Sequence, residues 1–311
     1  MSYTIIRPRD HQEWLKYRES GIGSSEVGTI LGLNPFDTPY QLWRRKIGID
    51  PPVAENFAMK AGHYLEDAVS MFFADATGYA IDKESAGDWL VVSDAKPYLR
   101  VSPDRLYTHP DFPKDKAILE CKTTQRDIDK DDVPQHWFCQ LQYQLGVAEL
   151  QYGSLAWLIA GRKFDYKSYK FDEEFFNYIV EAVDRFWVDN ILGKQEPDSI
   201  NVDDIVLRNP RHTLGKQVEA SEKLIATCNE LKELKFEIEQ LNTRKKDLEN
   251  DIKMAMADAE ALVTPAGEVL STWKAAKDST KFDEKRFAAE CPEIYKQYQL
   301  TQAGTRRLLI K

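Results

Sequence analysis

Between residues 9 and 47 the apolar positions Trp14, Leu15, Val27, Ile30 and Leu31 recur at helical spacing on either side of Gly21-Ile22-Gly23. Two helical pieces are predicted there, the second opening at Ser24-Ser25-Glu26. A further helix start is written in Thr38-Pro39, with Gly48 as its stop. From about Ala54 to Ala76 the positions Phe57, Ala61, Leu65, Ala68, Phe72 and Ala76 form the stripe of an amphipathic helix ended by Gly78. That stripe is expected to face the core, with Glu66 at its edge. Strand-like runs follow at Trp89 to Val92, Tyr98 to Tyr107 and Ala117 to Thr124. The last two are expected to form a hairpin across the Pro- and Asp-rich segment Thr108 to Lys116. A helix from about Pro134 to Val147, strands at Gly153 to Ala160 and Asp165 to Phe171, and a helix from Asp172 to near Gly193 complete the series. This order reads as α/β (α+β), a central mixed sheet flanked by helices.

Past an Asn- and Asp-rich loop, Asp198 to Pro210, the period changes. With Leu231, Ile238, Ile252 and Ala259 at a positions, Leu234, Leu241, Leu248, Ala255 and Leu262 fall at d, and Lys245 alone is polar in the seam. A long coiled-coil-like helix is predicted, either packed within the molecule on its own domain or used for self-association or antiparallel packing on a neighbour. The tail offers a turn at Pro265-Ala266-Gly267, a strand through Trp273, a short helix near Asp283 to Ala289 and a last strand at Arg306 to Ile310. Three segments are therefore expected: a core over residues 1–210, a heptad helix over 211–263 and a small α/β module over 264–311.

Composition narrows the class. The 311 residues are 42% hydrophobic and 30% charged, enough for a substantial buried core. No run approaches the roughly 18 apolar residues of a membrane span, and Met1 to Asp10 lacks an apolar signal region. A cytoplasmic protein without membrane contact is expected. Cys121, Cys139, Cys228 and Cys291 include no C-x-x-C pair, which argues for a reducing compartment and against a disulfide frame. With 42 Lys and Arg against 51 Asp and Glu, the net charge is −9, so no global positive field invites nucleic acid. DNA contact would need local basic patches or metal ions. Residues 272 to 311, with nine Lys or Arg against five Asp or Glu, are the one clearly basic module.

The segment Tyr98-Leu-Arg-Val-Ser-Pro-Asp-Arg-Leu106, followed by Ala117-Ile-Leu-Glu-Cys-Lys-Thr123, carries the most chemistry. On an extended strand Glu120 and Lys122 share one face, while Leu119 and Cys121 enter the opposite layer. Asp104, just past Ser102-Pro103, can approach Glu120 from the neighbouring strand. Two carboxylates beside an ammonium suit a hard divalent cation and a water, the requirements of phosphodiester hydrolysis. The bland alternative is a solvated surface hairpin. Three further features weigh against it: Glu66 with Gly62 one turn before it, Gln140 within an apolar helix, and Arg18 and Ser25 bracketing a glycine turn at a helix start. Exposed N–H groups, a hydroxyl and a guanidinium are what a terminal phosphate needs.

In order, Trp14-x-x-x-Arg18-x-x-Gly21-Ile22-Gly23-Ser24-Ser25-Glu26, Gly62-x-x-x-Glu66, Ser102-Pro103-Asp104, Glu120-Cys121-Lys122 and Gln140-x-Gln142 resemble the lambda exonuclease (YqaJ-type viral recombinase) family of the PD-(D/E)xK nucleases. The resemblance spans about residues 9 to 195. It implies a PD-(D/E)xK nuclease core and a Mg²⁺-dependent exonuclease, with Mn²⁺ as a substitute. Such an enzyme digests one strand of duplex DNA from its 5′ end and leaves a 3′ overhang for phage-type recombination by strand annealing. Carried over residue by residue, Asp104, Glu120, Glu66 and the backbone carbonyl of Cys121 are metal ligands. Lys122 activates the water, Gln140 is the motif glutamine, and Arg18 and Ser25 form the 5′-phosphate pocket. The resemblance also implies a homotrimer acting on double-stranded DNA ends with a single-strand annealing protein, in the cytoplasm of a bacterial host. It leaves the heptads and the basic tail unexplained.

Two rivals stand beside this reading. One is a related PD-(D/E)xK endonuclease. The other is a non-catalytic DNA-end-binding assembly protein in which the heptads act and the core is degenerate, and intact Asp104, Glu120 and Lys122 count against it.

Overall fold

The computed structural model describes residues 2–82, 85, 87–108, 115–301 and 304–310. The chain divides into two compact units, Met1–Arg208 and Asn209–Lys311.

The first unit is a mixed α/β structure. Its three-stranded antiparallel sheet has the order β1 (Tyr3–Ile6), β2 (Leu90–Ser93), β3 (Arg100–Val101). Its four-stranded mixed sheet runs β4 (Arg105–Thr108), β5 (Lys116–Thr124), β6 (Tyr152–Ile159), β7 (Lys163–Lys170). β5 and β6 are parallel and the outer pairs antiparallel. The parallel pair requires a crossover, and α5 (Gln135–Val147) provides it.

The remaining helices of this unit begin with α1 (His11–Glu19), α2 (Ser24–Ile30) and α3 (Pro39–Lys46). There follow α4 (Phe57–Thr77), α6 (Glu173–Arg185), continued by a π-helical stretch over Phe186–Leu192, and α7 (Val202–Arg208). Local signals set several boundaries. Thr38 accepts from the Gln41 N–H with Pro39 in the first turn, and Gly78 ends α4 at φ +73°.

The four-stranded sheet separates two apolar clusters. On one face Leu119, Cys121, Ala156, Leu158 and Tyr107 meet Val69 and Phe73 of α4. On the other Ile118, Leu155, Trp157 and Ile159 meet α5 and α6 through Leu141, Leu145, Phe176 and Ile179. Strand alternation thus sends Glu120 and Lys122 toward α5.

The structure corrects several expectations. The stripe Phe57, Leu65 and Phe72 is exposed; α4 buries instead Val69 and Phe73, the continuation at helical spacing of Gly62 and Glu66. The helix had two candidate faces, and the shape of the sheet beneath it chose between them. The run Tyr98 to Tyr107 is two strands in two sheets, because Ser102-Pro103 interrupts the ladder. Its expected connection to β5 includes residues 109–114, which lie outside the described residues. The Asp198 to Pro210 loop contains α7, whose fully buried Asp204 accepts from Thr38 Oγ1 at 2.6 Å and from the Ile200 N–H at 3.0 Å. β1 was not foreseen.

The second unit contains α8 (Glu222–Met256), the hairpin β8 (Ala261–Val263) with β9 (Val269–Thr272), α9 (Glu284–Glu290) and α10 (Pro292–Gln297). Gly267, at φ +87°, makes the hairpin turn that Pro265-Ala266-Gly267 predicts. The heptad positions Ala259 and Leu262 lie beyond the end of α8, Leu262 within β8. Residues 306–310 form no strand, and α10 was not foreseen.

Candidate active site

The centre of the site is Glu120, 1% exposed at the middle of β5. Its Oε1 accepts from Lys122 Nζ at 2.6 Å and from Gln140 Nε2, and its Oε2 accepts from Gln144 Nε2 at 2.8 Å. Lys122 Nζ also donates to Gln140 Oε1 at 2.9 Å. Gln140 and Gln144, one helical turn apart on α5, therefore fix both oxygens of one buried carboxylate. Gln144 Nε2 lies 3.2 Å from Ser24 Oγ as well, which ties Glu120 to the first residue of α2. The Oε1 atom of Gln144 is buried and has no partner among the described residues.

Asp104 stands at the entrance to β4, where its Oδ2 accepts from the Cys121 N–H at 2.7 Å. Burial, then the charges of Glu120 and Glu66, push its carboxyl well above the ordinary Asp range. Glu66 on α4 is raised too, by burial first; His63 and Arg105 work against that rise and Glu120 adds to it. Burial by itself would lower the Lys122 ammonium, but Glu120 and Asp104 outweigh it and hold the group above its ordinary value. Three carboxylates thus share one electrostatic environment with the Lys122 ammonium, and Arg105 also acts on Glu66. Among the described residues, no three or more His, Cys, Asp or Glu side chains close into a metal-holding group.

Beside this centre the Gly21-Ile22-Gly23 turn leads into α2. Gly21 lies so close to strand β3 that a β-carbon there would sit 2.6 Å from the Tyr98 carbonyl oxygen. The Ile22 N–H donates to that same oxygen at 2.7 Å, and Lys46 Nζ donates to the Gly21 carbonyl at 2.7 Å. Glu26 Oε2 accepts from the Gly23 N–H at 2.8 Å, so the helix start is capped backward by its own third residue. Arg18 Nη2 donates to Ser25 Oγ at 3.0 Å, and the guanidinium lies 4.7 Å from the centre of the Trp14 ring. α2 packs tightly on α5: a β-carbon at Gly28 would come within 2.6 Å of His136 Cβ. Burial and the charge of Lys122 hold the half-buried His136 imidazole below its ordinary range.

Of the glutamines in the Gln140-x-Gln142 motif, Gln142 does not join this centre. It bonds the Lys170 carbonyl at 2.8 Å and the Asp172 N–H at 2.9 Å, securing the entry to α6. Gln144 and Ser24 were missed as site residues. The signal in the sequence for Gln144 was its i, i+4 spacing from Gln140 on α5.

The YqaJ-like viral recombinase domain matches residues 13–151, the stretch that holds Arg18, Ser24, Ser25, Glu66, Asp104, Glu120, Lys122, Gln140 and Gln144. Over 296 residues the chain is 31% identical to the uncharacterized protein YqaJ of Bacillus subtilis (strain 168), covering 91% of this chain and 89% of that protein. The chain belongs to the YqaJ-like viral recombinase family. Two solved structures are also similar. The alkaline exonuclease LHK-Exo of Laribacter hongkongensis is 14% identical, with TM-score 0.47 over 59% of this chain and 93% of its own. A phage related exonuclease of Haemophilus somnus 129PT is 12% identical, with TM-score 0.42 over 56% and 96%. For this YqaJ-like chain, no helix among the described residues is long and apolar enough to cross a membrane.

Proposed function

We propose that the first unit is a metal-dependent deoxyribonuclease, a 5′-to-3′ exonuclease on linear double-stranded DNA that leaves 3′ overhangs for strand annealing. The observation that carries this reading is the Glu120, Lys122, Gln140 and Gln144 network beside Asp104. It is an ammonium and a buried carboxylate locked in one geometry next to a second carboxylate, whose proton affinity burial and its neighbours raise.

The group implied by the family is a divalent cation, Mg²⁺ or Mn²⁺ in its place. The donor set fits it. Asp104 and Glu120 are hard oxygen ligands, Glu66 adds a third carboxylate nearby, and the Cys121 carbonyl lies on the same strand. Burial first, and the charge of the neighbouring carboxylates after it, raise Asp104 and Glu66, and a cation bound there would offset that charge. Mg²⁺ takes one or two carboxylates and fills its shell with water and substrate phosphate, a demand that Asp104 and Glu120 can meet. The unpaired Gln144 Oε1 beside Glu120 is an acceptor for one such water.

A bound cation supplies positive charge at the scissile phosphate and lowers the pKa of a water. Glu120 cannot rotate, since both of its oxygens are held. Lys122, ammonium at neutral pH, donates toward the attacking water and the developing phosphate charge, and Gln140 fixes its direction. Arg18 on α1 and Ser25 at the start of α2 hold the terminal 5′-phosphate, so the enzyme enters from that end. Ser24 and Gln144 link this anchor to Glu120 and fix the step from end to cleavage. Of the partners that the resemblance implies, the DNA end alone has residues assigned to it here. The homotrimer and the annealing protein rest on the resemblance.

End-labelled linear duplex, incubated with Mg²⁺ and then with EDTA, tests the enzyme against the assembly-protein reading. Closed circular duplex tests it against the endonuclease reading. Digestion of the linear form only, abolished by EDTA, is expected; nicking of the circle or the absence of any cleavage overturns the proposal. Arg18→Ala should slow digestion of a 5′-phosphorylated end by one to two decades and barely change a 5′-hydroxyl end. Such a loss corresponds to one charge-assisted bond of about 1.5–3 kcal/mol. Equal slowing of both ends would return Arg18 to a structural role.

A further inference from the structure

Two cations lie inside the molecule against the turn that joins Arg18 to Ser25. Arg100 of β3 is 6% exposed; its Nη1 donates to the Tyr17 carbonyl and to Ser20 Oγ at 2.7 Å, and its Nη2 to the Pro97 carbonyl. All of these acceptors are neutral. Arg100 Nε is buried with no partner among the described residues, and no carboxylate there forms an ion pair with the group. Burial disfavours its charged form, and Glu26 acts on it in the opposite direction. Lys46 of α3, its side chain 9% exposed, donates to the carbonyls of Gly21 at 2.7 Å and Arg18 at 3.4 Å and pairs with Glu26 Oε1 at 2.9 Å.

The turn separates these buried charges from Arg18 by very little. A β-carbon at Gly21 would sit 2.2 Å from Arg100 Nε, and one at Gly23 would sit 3.8 Å from Arg18 Nε. Three cations therefore surround a three-residue turn, and one carboxylate, Glu26, is bonded among them, its other oxygen being taken by the Gly23 N–H. An excess of two positive charges remains. Neutral donors would bond the same carbonyls at less cost, because a buried cation without a carboxylate is unfavourable. The charge itself calls for an anion that arrives with the substrate.

We propose, on the assignment of Arg18 and Ser25 to the 5′-phosphate, that Arg100 and Lys46 make this pocket select a doubly charged terminal phosphate over a singly charged phosphodiester. A phosphomonoester loses its second proton at about pH 6 and so carries nearly two charges at neutral pH and above, whereas each phosphate within a strand carries one. The pocket thereby tells a strand end from the rest of the backbone. Arg100 and Lys46 are positioning residues: they hold the turn by its carbonyls and add fixed charge behind it, which needs no rearrangement when the phosphate enters.

Three linear duplexes that differ only in the 5′ group, phosphate, methyl phosphate or hydroxyl, test this on the full chain at about pH 8. Single-turnover digestion in Mg²⁺ should run about tenfold faster from the phosphate than from the methyl phosphate, which keeps one charge. Arg100→Met and Lys46→Met should each bring that ratio to about threefold or below, and Arg100→Lys, which restores the charge without the fork, should return it toward the wild-type value. A structural role alone would slow all ends by one factor and leave the ratio intact, and a methyl group that merely fails to fit would leave it intact in every variant. Filter binding in Ca²⁺ reads the same ratio as Kd without cleavage, and thermal melts show that each variant is folded. An unchanged ratio in Arg100→Met and Lys46→Met overturns the proposal. Wild type that treats phosphate and methyl phosphate alike, and both better than hydroxyl, overturns it while the role of Arg18 stands; three ends treated alike remove both.

Discussion

Asp104→Asn should stabilise the protein while it abolishes cleavage. In the wild type the Asp104 carboxylate is buried beside Glu120 and Glu66 and its pKa lies well above 3.8. The folded state therefore binds this proton more tightly than the unfolded state, and ionised Asp104 costs stability at neutral pH. Each unit of upward shift corresponds to 1.36 kcal/mol. Asparagine removes the charge, and its Oδ1 can still accept from the Cys121 N–H. A gain in stability at neutral pH is expected, read as a higher melting midpoint of the variant. The sign across pH follows from the direction of the shift. As pH falls through the raised folded-state value, wild-type Asp104 takes up its proton and the advantage of Asn shrinks, vanishing near 3.8. Thermal melts of both proteins from pH 7.5 down to pH 4 measure this. Mg²⁺ supplies a second arm: at a hundredfold excess over its Kd it should stabilise wild type by about 2.7 kcal/mol and the variant far less. An Asn variant that melts at or below the wild-type temperature at pH 7, or responds equally to Mg²⁺, refutes the reasoning.

Three further outcomes are expected. Lys122→Met should lower the single-turnover cleavage rate by about 10²–10³, the range for loss of one donor to developing charge, while filter binding of duplex in Ca²⁺ changes little; parallel loss of both would remove its catalytic role. Gln144→Leu releases one oxygen of Glu120 and the link to Ser24, so kcat should fall at least tenfold with KM for DNA nearly unchanged, and unchanged kcat would make Gln144 purely structural. Asp204→Ala leaves the Thr38 hydroxyl and the Ile200 N–H without their acceptor in a fully buried place, and urea unfolding should show a loss of about 3 kcal/mol with no specific effect on end recognition.

The sequence by itself determined the elements whose signals are local. The period of Pro134 to Val147 located α5, Thr38-Pro39 and Gly78 marked two helix ends, and strand alternation put Glu120 and Lys122 on one face, because caps and side-chain directions depend on residues only a few positions apart. The ordered set of short motifs carried the family for the same reason, since each motif is local. Tertiary structure decided what depends on a partner. Two faces of α4 were apolar enough to be buried, and the sheet selected Val69 and Phe73, turning Glu66 inward and leaving Phe57 and Phe72 in solvent. Gln142 and Gln144 are chemically identical, and only the placement of α5 between β5 and β7 sent one to a structural carbonyl and the other to Glu120. Ser24 reached the site, and Asp204 reached Thr38, across 120 and 166 residues of chain. No periodicity records separations of that length, because what closes them is the packing of helices on the two faces of the sheet.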